Sequence, residues 1–371
     1  MYDRAVNGRH DAPSGSVVGS SGAAPWLARA SGPLAPESGA VESPGFDPLS
    51  DVLRAVRLTA AVFFEVDATS PWVIEVPDSA ALASVTVPRA QHVVSYHVVT
   101  RGACRGGLLD GPSVPLEAGD VLVFPHGDAY VMSIAPQTRG GPDTTEVLAF
   151  MAEMAAGRLT FTVTEGGGGL DALGLVCGFL GCDAHPFNPL LAALPRLLHV
   201  RGAFAAGDPL GRLIEFALTE SQERRPGGEC VRLRLSELLF VEVVRRYLAG
   251  LPAEQTGWLA GLRDRTVGRA LARLHERPGN DWTLETLAKE VGLSRSALAE
   301  RFAHFVGDPP MQYLARWRMQ VAARLLADGH AKVATVALQV GYESEAAFSR
   351  AFKKAAGIPP AAWRRRYARP G

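Results

Sequence analysis

The chain is poor in cysteine, holds no long apolar run and carries no net charge. Four cysteines in 371 residues are too few for a disulfide framework. Cys177 and Cys182 stand five apart, which is neither the redox Cys-x-x-Cys spacing nor a zinc knuckle. On a strand that odd separation turns them to opposite faces. No segment approaches the ~18 apolar residues of a membrane span, and the first residues lack the apolar core of a signal peptide. A soluble, cytoplasmic protein without membrane contact is therefore expected. The glycine run at 166–169 is not followed by the Lys-Ser/Thr of a phosphate loop. Residues 1–44 have few large apolar side chains, with Trp26 as the one large anchor, and are expected to be a disordered leader.

The zero net charge conceals a split. Residues 258–371 carry 19 Arg and Lys against 10 Asp and Glu, a surplus that the rest of the chain balances. A basic third on an acidic body suits phosphate binding at one end.

That basic third says one thing twice. Ala288-Lys-Glu-Val-Gly-Leu-Ser-Arg-Ser-Ala-Leu-Ala-Glu-Arg-Phe302 is followed by Gly307 and Pro309-Pro310. Ala337-Leu-Gln-Val-Gly-Tyr-Glu-Ser-Glu-Ala-Ala-Phe-Ser-Arg-Ala-Phe352 is followed by Gly357 and Pro359-Pro360. The offset is 49 residues up to the glycine and 50 after it, so the second turn is one residue longer. Each copy has the grammar of a helix-turn-helix. A short helix ends at Gly292 or Gly341, which tolerates a left-handed backbone. Ser294 or Ser344 then caps the next helix. Ala288 and Ala337 allow close helix approach, and Leu298 with Phe302, or Phe348 with Phe352, face inward. The opposite face of each second helix is free to enter a major groove. Between the copies, residues 311–327 have no Gly or Pro and read as a rigid helix of roughly 25 to 30 Å. Such a strut suits two recognition helices about one turn of DNA apart, ~34 Å.

The second copy, with its Gly-Tyr-x-Ser, Phe-Ser-Arg-x-Phe-Lys and Pro-x-x-Trp-Arg pieces, resembles the DNA-binding domain of the AraC/XylS family of transcription regulators, over about 264–369. The resemblance implies base contacts from Arg295, Ser296, Ala299 and Glu300 in the first recognition helix. In the second it implies Glu345, Ala346, Ser349 and Arg350. Arg can take the O6/N7 edge of guanine and Glu can accept from cytosine N4. Arg350 has a competing role in an ion pair with Glu345 or Glu343. Arg316, Arg318, Lys353, Lys354 and Arg364 are candidates for phosphate contact.

Ahead of the basic third the pattern is of short strands, expected at 60–66, 72–76, 84–87, 92–100, 104–109, 120–124, 129–134, 145–151, 159–163 and 175–183, after a helix at 47–57. Many short strands read as a sandwich or small barrel. Gly119-Asp-Val-Leu-Val-Phe-Pro-His-Gly127 resembles the second motif of cupin barrels. Metal-binding cupins have a histidine three residues after that glycine, where this chain has Tyr130. The first motif wants a His pair, and only His97 is present, so no metal or other cofactor is expected. His126 is expected to face solvent. Asp47-Pro-Leu-Ser-Asp51, Pro71-Trp72, the strand around His97 and the Cys-Gly strand at 177–178 resemble the cupin-type sensor of one AraC branch. His97, Cys104, Tyr130, Cys177 and Cys182 are the candidates for effector or redox sensing, set against the plainer reading of the cysteines as buried small hydrophobes.

From 208 onward two apolar helices flank Pro226-Gly-Gly228, with stripes Leu210, Leu213, Ile214, Ala217 and Leu235, Leu238, Leu239, Val243, Leu248. They suit a homodimer contact or packing on the barrel. The expected organisation is an α+β multidomain chain: leader 1–44, cupin-like sensor barrel 45–200, helical linker 201–257 and all-α DNA-binding domain with two helix-turn-helix motifs 258–371. The expected function is an effector- or redox-responsive regulator, an activator by family habit. Its expected partners are double-stranded promoter DNA, RNA polymerase, a small molecule in the barrel and a second copy of the chain. The competing reading is a cupin enzyme with a degenerate helical tail.

Overall fold

The computed structural model describes residues 47–368 apart from 57, 88–89, 135–140, 203–206, 224, 253 and 330, and gives the backbone alone at 60, 61, 221 and 222. The expected leader lies outside the described residues. The chain begins with α1 (Pro48–Ala55), started by Pro48 and capped by the Asp47 carboxylate, which accepts from the amide of Leu49.

Ten strands follow, in two sheets. The first sheet has six: β1 (Thr59–Thr69), β3 (His92–Arg101), β6 (Val121–Phe124), β8 (Thr162–Gly166), β9 (Ala172–Cys182) and β10 (Leu198–Val200), in the order β10-β6-β3-β9-β1-β8. The second has β2 (Val73–Val76), β4 (Ala103–Leu108), β5 (Val114–Glu117) and β7 (Tyr130–Ser133), in the order β2-β7-β4-β5. Pairing is antiparallel except between β1 and β8.

Within the six-stranded sheet, β3, β6 and β9 are buried on both faces, which explains their nearly continuous apolar runs, whereas the edge strand β8 is not buried. Along β3, Val93, His97 and Val99 point between the sheets, and Val94, Tyr96 and Val98 point outward to helices. Along β9, Leu175, Cys177 and Phe179 point in, and Val176, Leu180 and Cys182 point out. Tyr96 crosses β9 at Gly178, where a Cβ would come within 2.2 Å of its ring. Its hydroxyl donates to Ser236 Oγ at 2.8 Å.

Two expected strands are helices. Residues 84–87 fall at the end of α2 (Ser79–Thr86) and 145–151 fall in α3 (Thr144–Ala155). Asp78 caps α2, and Asp143 with Glu146 forms a capping box on α3. These acidic caps outweigh the local β-branched residues. The strand expected at 159–163 starts later, as β8.

After α4 (Pro189–Ala193) come α5 (Pro209–Glu223) and α6 (Gly228–Gly250), the helical hairpin. Ser236, Leu239, Phe240 and Val243 of α6 are buried, and α6 packs against β1, β9 and β10. Leu238, part of the apolar stripe read from the sequence, is 51% exposed.

The C-terminal helices are α7 (Trp258–Arg263), α8 (Arg265–Glu276), α9 (Leu284–Val291), α10 (Arg295–Val306), α11 (Pro310–Asp328), α12 (Val333–Gln339), α13 (Glu345–Ala356) and α14 (Pro360–Tyr367). One apolar core runs from the outer face of the large sheet through α1 and the hairpin into α7–α11. The barrel interior between the sheets is a separate core, and a third, built from Met319, Leu326, Val336, Phe348, Phe352 and Trp363, lies under α12–α14. The first helical pair thus shares its core with the barrel, and the second has a core of its own.

Candidate nucleic-acid interface and barrel interior

The two helix pairs are built alike. Thr283 and Thr286 form a capping box at the start of α9. Gly292 ends it with φ +75°, and Leu293 N returns to Ala288 O at 3.0 Å. Ser294 then caps α10 by accepting from Ala297 N. In the second pair Gly341 has φ +79°, Tyr342 N returns to Ala337 O at 2.9 Å, and Ser344 caps α13 through Ala347 N. Ala288 and Ala337 are buried at the helix crossings, as are Leu298, Phe302, Phe348 and Phe352. Pro310 starts the connecting α11, whose 19 residues span about 28 Å.

The outward faces of α10 and α13 hold the candidate base contacts. Arg295, Ser296, Glu300, Glu345, Ala346 and Arg350 are exposed, and Ala299 and Ser349 are half-buried. Among the described residues no ion pair joins Arg350 to Glu345 or Glu343. Arg301 does not belong to this free face, because Asp264 holds its guanidinium.

Of the five candidate phosphate contacts only Lys353 and Lys354 are left exposed without such ties. Arg318 is half-buried and tied to backbone carbonyls. It donates from Nε to Pro278 O at 2.7 Å and from Nη2 to Asn280 O at 2.7 Å, tying the loop before α9 to the strut. Carbonyls freed by a turn need a donor, and a half-buried guanidinium supplies several. Arg316 pairs with Asp308 and lies 4.1 Å from the ring centroid of Phe187. Arg364 donates to Ala331 O. Each of these three arginines has a partner within the chain, and Arg316 is exposed at the surface as well.

Three of the five sensing candidates meet inside the barrel. His97 and Cys177 are direct partners in the β3–β9 register, and His97 Nδ1 lies 3.2 Å from Cys177 Sγ. His97 Nε2 lies 2.7 Å from Tyr130 Oη across the barrel. Burial lowers the His97 pKa to about 3 and raises those of Tyr130 and Cys177 well above their ordinary values, so all three are neutral. Beside them is a cavity of about 30 Å³ lined mainly by apolar side chains, with His97, Cys177 and Glu165 as its polar members. Trp72 Nε1 donates to Glu165 Oε2 at 2.6 Å.

Cys104 shares this interior, its thiol pushed up to about 12 chiefly by burial. Cys182 lies on the opposite face of the sheet. The exposed cysteine is Cys230 on α6, which sequence reasoning passed over because no spacing marks it. His126 is exposed, yet its Nε2 is 2.8 Å from Leu194 O, which ties the Pro-x-Gly turn to the end of α4.

A buried polar chain joins barrel and helices. Gln320 of α11 donates to Ala55 O at 3.2 Å and accepts from Phe187 N at 3.2 Å. His275 of α8 lies 3.2 Å from Asp51 of α1 through Nδ1 and 2.7 Å from Tyr313 Oη through Nε2. Trp258 Nε1 donates to the same Tyr313 oxygen at 2.8 Å. Sequence periodicity marks Gln320 and His275 only as polar breaks in apolar stripes.

The chain matches the family model described as Cupin over residues 47–249 and the one described as Helix-turn-helix domain over 287–366. An AraC-like transcription regulator of Streptomyces lividans is 32% identical over 330 residues, covering 86% of this chain and 98% of that one. The HTH-type transcriptional regulator AlkR of Acinetobacter baylyi is 29% identical over 310 residues, covering 83% and 95%. The RCS-specific HTH-type transcriptional activator RclR of Escherichia coli is 26% identical over 276 residues, covering 74% and 85%. With an N-terminal barrel, two helix-turn-helix units and relatives named as regulators rather than enzymes, the chain belongs to the AraC family of DNA-binding transcription regulators.

Proposed function

We propose that this regulator reads two successive major grooves of promoter DNA with α10 and α13, and that a small, mostly apolar effector in the barrel governs that binding. The observation that carries the first half is the pair of equivalent 12-residue helices, each with an exposed face, joined by the 19-residue α11. A strut of about 28 Å comes near the ~34 Å turn of DNA. Arg295, Ser296, Ala299 and Glu300 face one groove, and Glu345, Ala346, Ser349 and Arg350 face the next. Lys353 and Lys354 neutralise phosphates and add salt-dependent affinity with little sequence choice.

The second half rests on the neutral His97–Tyr130–Cys177 cluster beside an apolar cavity. A cavity of about 30 Å³ admits water only, so an effector enters by displacing α3, which lines it with Val147, Phe150 and Met151. A ligand is favoured over thiol oxidation because the thiolate is the reactive form and burial holds Cys104, Cys177 and Cys182 protonated. The exposed apolar side chain of Leu238 supports a homodimer through the hairpin. Activation through RNA polymerase, in the cytoplasm, completes the reading.

The test is binding of the full-length protein to DNA upstream of its own gene, reduced and after mild oxidation, at one fixed salt concentration. Tight binding that is the same in both states is expected. A change that vanishes in Cys177→Ser or Cys182→Ser would move the sensing role to the thiols, and absence of binding at low salt would end the groove-reading proposal.

A further inference from the structure

The two recognition helices carry the same charges in opposite order. α10 begins with Arg295 and has Glu300 five residues on, whereas α13 begins with Glu345 and has Arg350 five residues on. The caps Ser294 and Ser344 make these positions equivalent. Five residues turn the helix so that the two charges stand about 140° apart around the axis and about 7.5 Å apart along it. Charges that neutralise each other on a helix are three or four apart, so neither pair is matched within its own helix. All four side chains are exposed, and among the described residues none of them makes an ion pair. Arg301, the other cation near the centre of α10, is held by Asp264, whose carboxylate also caps α8. Between the charged positions stand Ser296 and Ala299 in α10 and Ala346 and Ser349 in α13. These side chains are small enough to let the helix backbone approach a groove floor.

An arginine donates two hydrogen bonds to O6 and N7 of guanine, and a glutamate accepts from N4 of cytosine. A glutamate aimed at guanine meets acceptors and is repelled. A separation of about 7.5 Å is a little over two base-pair steps of ~3.4 Å. We infer that the operator consists of two elements of opposite order. The element read by α10 presents guanine at the helix N-terminal end and cytosine about two steps on. The element read by α13 presents cytosine first and guanine about two steps on. Arg295 and Arg350 select the guanines, and Glu300 and Glu345 select the cytosines. An operator of two identical elements sets the wrong edges before one of the helices, so the chain binds in a single orientation. This inference rests on the groove reading proposed above.

The experiment is selection of bound duplexes from a randomised pool by the full-length protein at one salt concentration, repeated with Arg295→Ala, Arg350→Ala, Glu300→Gln and Glu345→Gln. The wild-type pool should yield two elements about 10 base pairs apart with guanine and cytosine in opposite order. Each alanine variant should lose guanine preference at one position only, by roughly five- to 150-fold. Each glutamine variant should lose cytosine preference at one position while binding to the unselected pool holds or tightens, because a repulsive charge is gone. Two elements whose composition at these positions is unchanged by all four substitutions would overturn the inference and leave the two-groove reading standing. A single element, or no enrichment at all, would overturn both.

Discussion

At the scale of single residues, burial sets the chemistry of the barrel interior. His97 is neutral in the folded chain because burial lowers it to about 3, whereas in the unfolded chain it titrates near ~6.5. Below that pH the unfolded state binds more protons. The stability contributed by neutral His97 is therefore complete above about pH 6.5 and declines as the pH falls toward 3, by at most ~1.4 kcal/mol per pH unit. His92 and His275 are lowered in the same sense, chiefly by burial. Urea titrations should show lower stability at pH 5 than at pH 7.5, and His97→Gln should narrow the gap; a wild type equally stable at both would contradict the assignment. The thiols give a second check. Mass spectrometry after brief alkylation of the native protein should find Cys230 modified and Cys104, Cys177 and Cys182 intact. Each member of the His97 cluster was recognisable in the sequence as a candidate, but their convergence was not. His97 meets Cys177 through the β3–β9 register, 80 residues apart, and Tyr130 arrives from the other sheet. The ties of Arg318 to Pro278 O and Asn280 O are hidden in the sequence for a related reason, since only the folded turns reveal which carbonyls need a donor.

At the scale of elements, the helix-turn-helix pairs were legible almost residue by residue, because glycine, serine cap and paired apolar positions are local signals. The two glycines nevertheless differ in surroundings. A Cβ on Gly292 would meet nothing within 4 Å, whereas one on Gly341 would lie 2.8 Å from Gly279 O and 2.7 Å from Arg318 Nη2. Gly292→Ala should destabilise by about 1–2 kcal/mol, the cost of a left-handed alanine. Gly341→Ala should cost more, because the Gly279 backbone must also move. Denaturant unfolding decides this, and equal losses would mean that the contact at Gly341 relaxes freely. The elements misread as strands, α2 and α3, show the limit of apolar alternation. In the segment 143–151, Val147 and Met151 are four apart and buried, and the Asp143–Glu146 capping box marks the start. Cap chemistry was the better guide to a helix there than the β-branched residues were to a strand.

At the scale of the whole molecule, the two helix-turn-helix units are held differently. The first shares a continuous core with the barrel and hairpin, and Gln320, fully buried, bridges α1 and the Phe187 segment. The second has its own core. Gln320→Leu strands the amide of Phe187 and the carbonyl of Ala55, and should cost ~1–3 kcal/mol. Hydrogen exchange should then quicken in α1 while α13 keeps its protection; equal loosening of both would deny the division into two cores. This arrangement was not visible in the sequence, because a buried glutamine in an apolar stripe does not name its partners. The proposed function rests on two recognition helices reading one face of the duplex. The most direct measurement is a hydroxyl-radical footprint of the full-length protein on DNA upstream of its own gene at low salt. Two protected windows about 10 base pairs apart on one face are expected, with Arg350→Ala weakening one window more than the other. A single window shorter than one helical turn, or no protection, would contradict the proposed function.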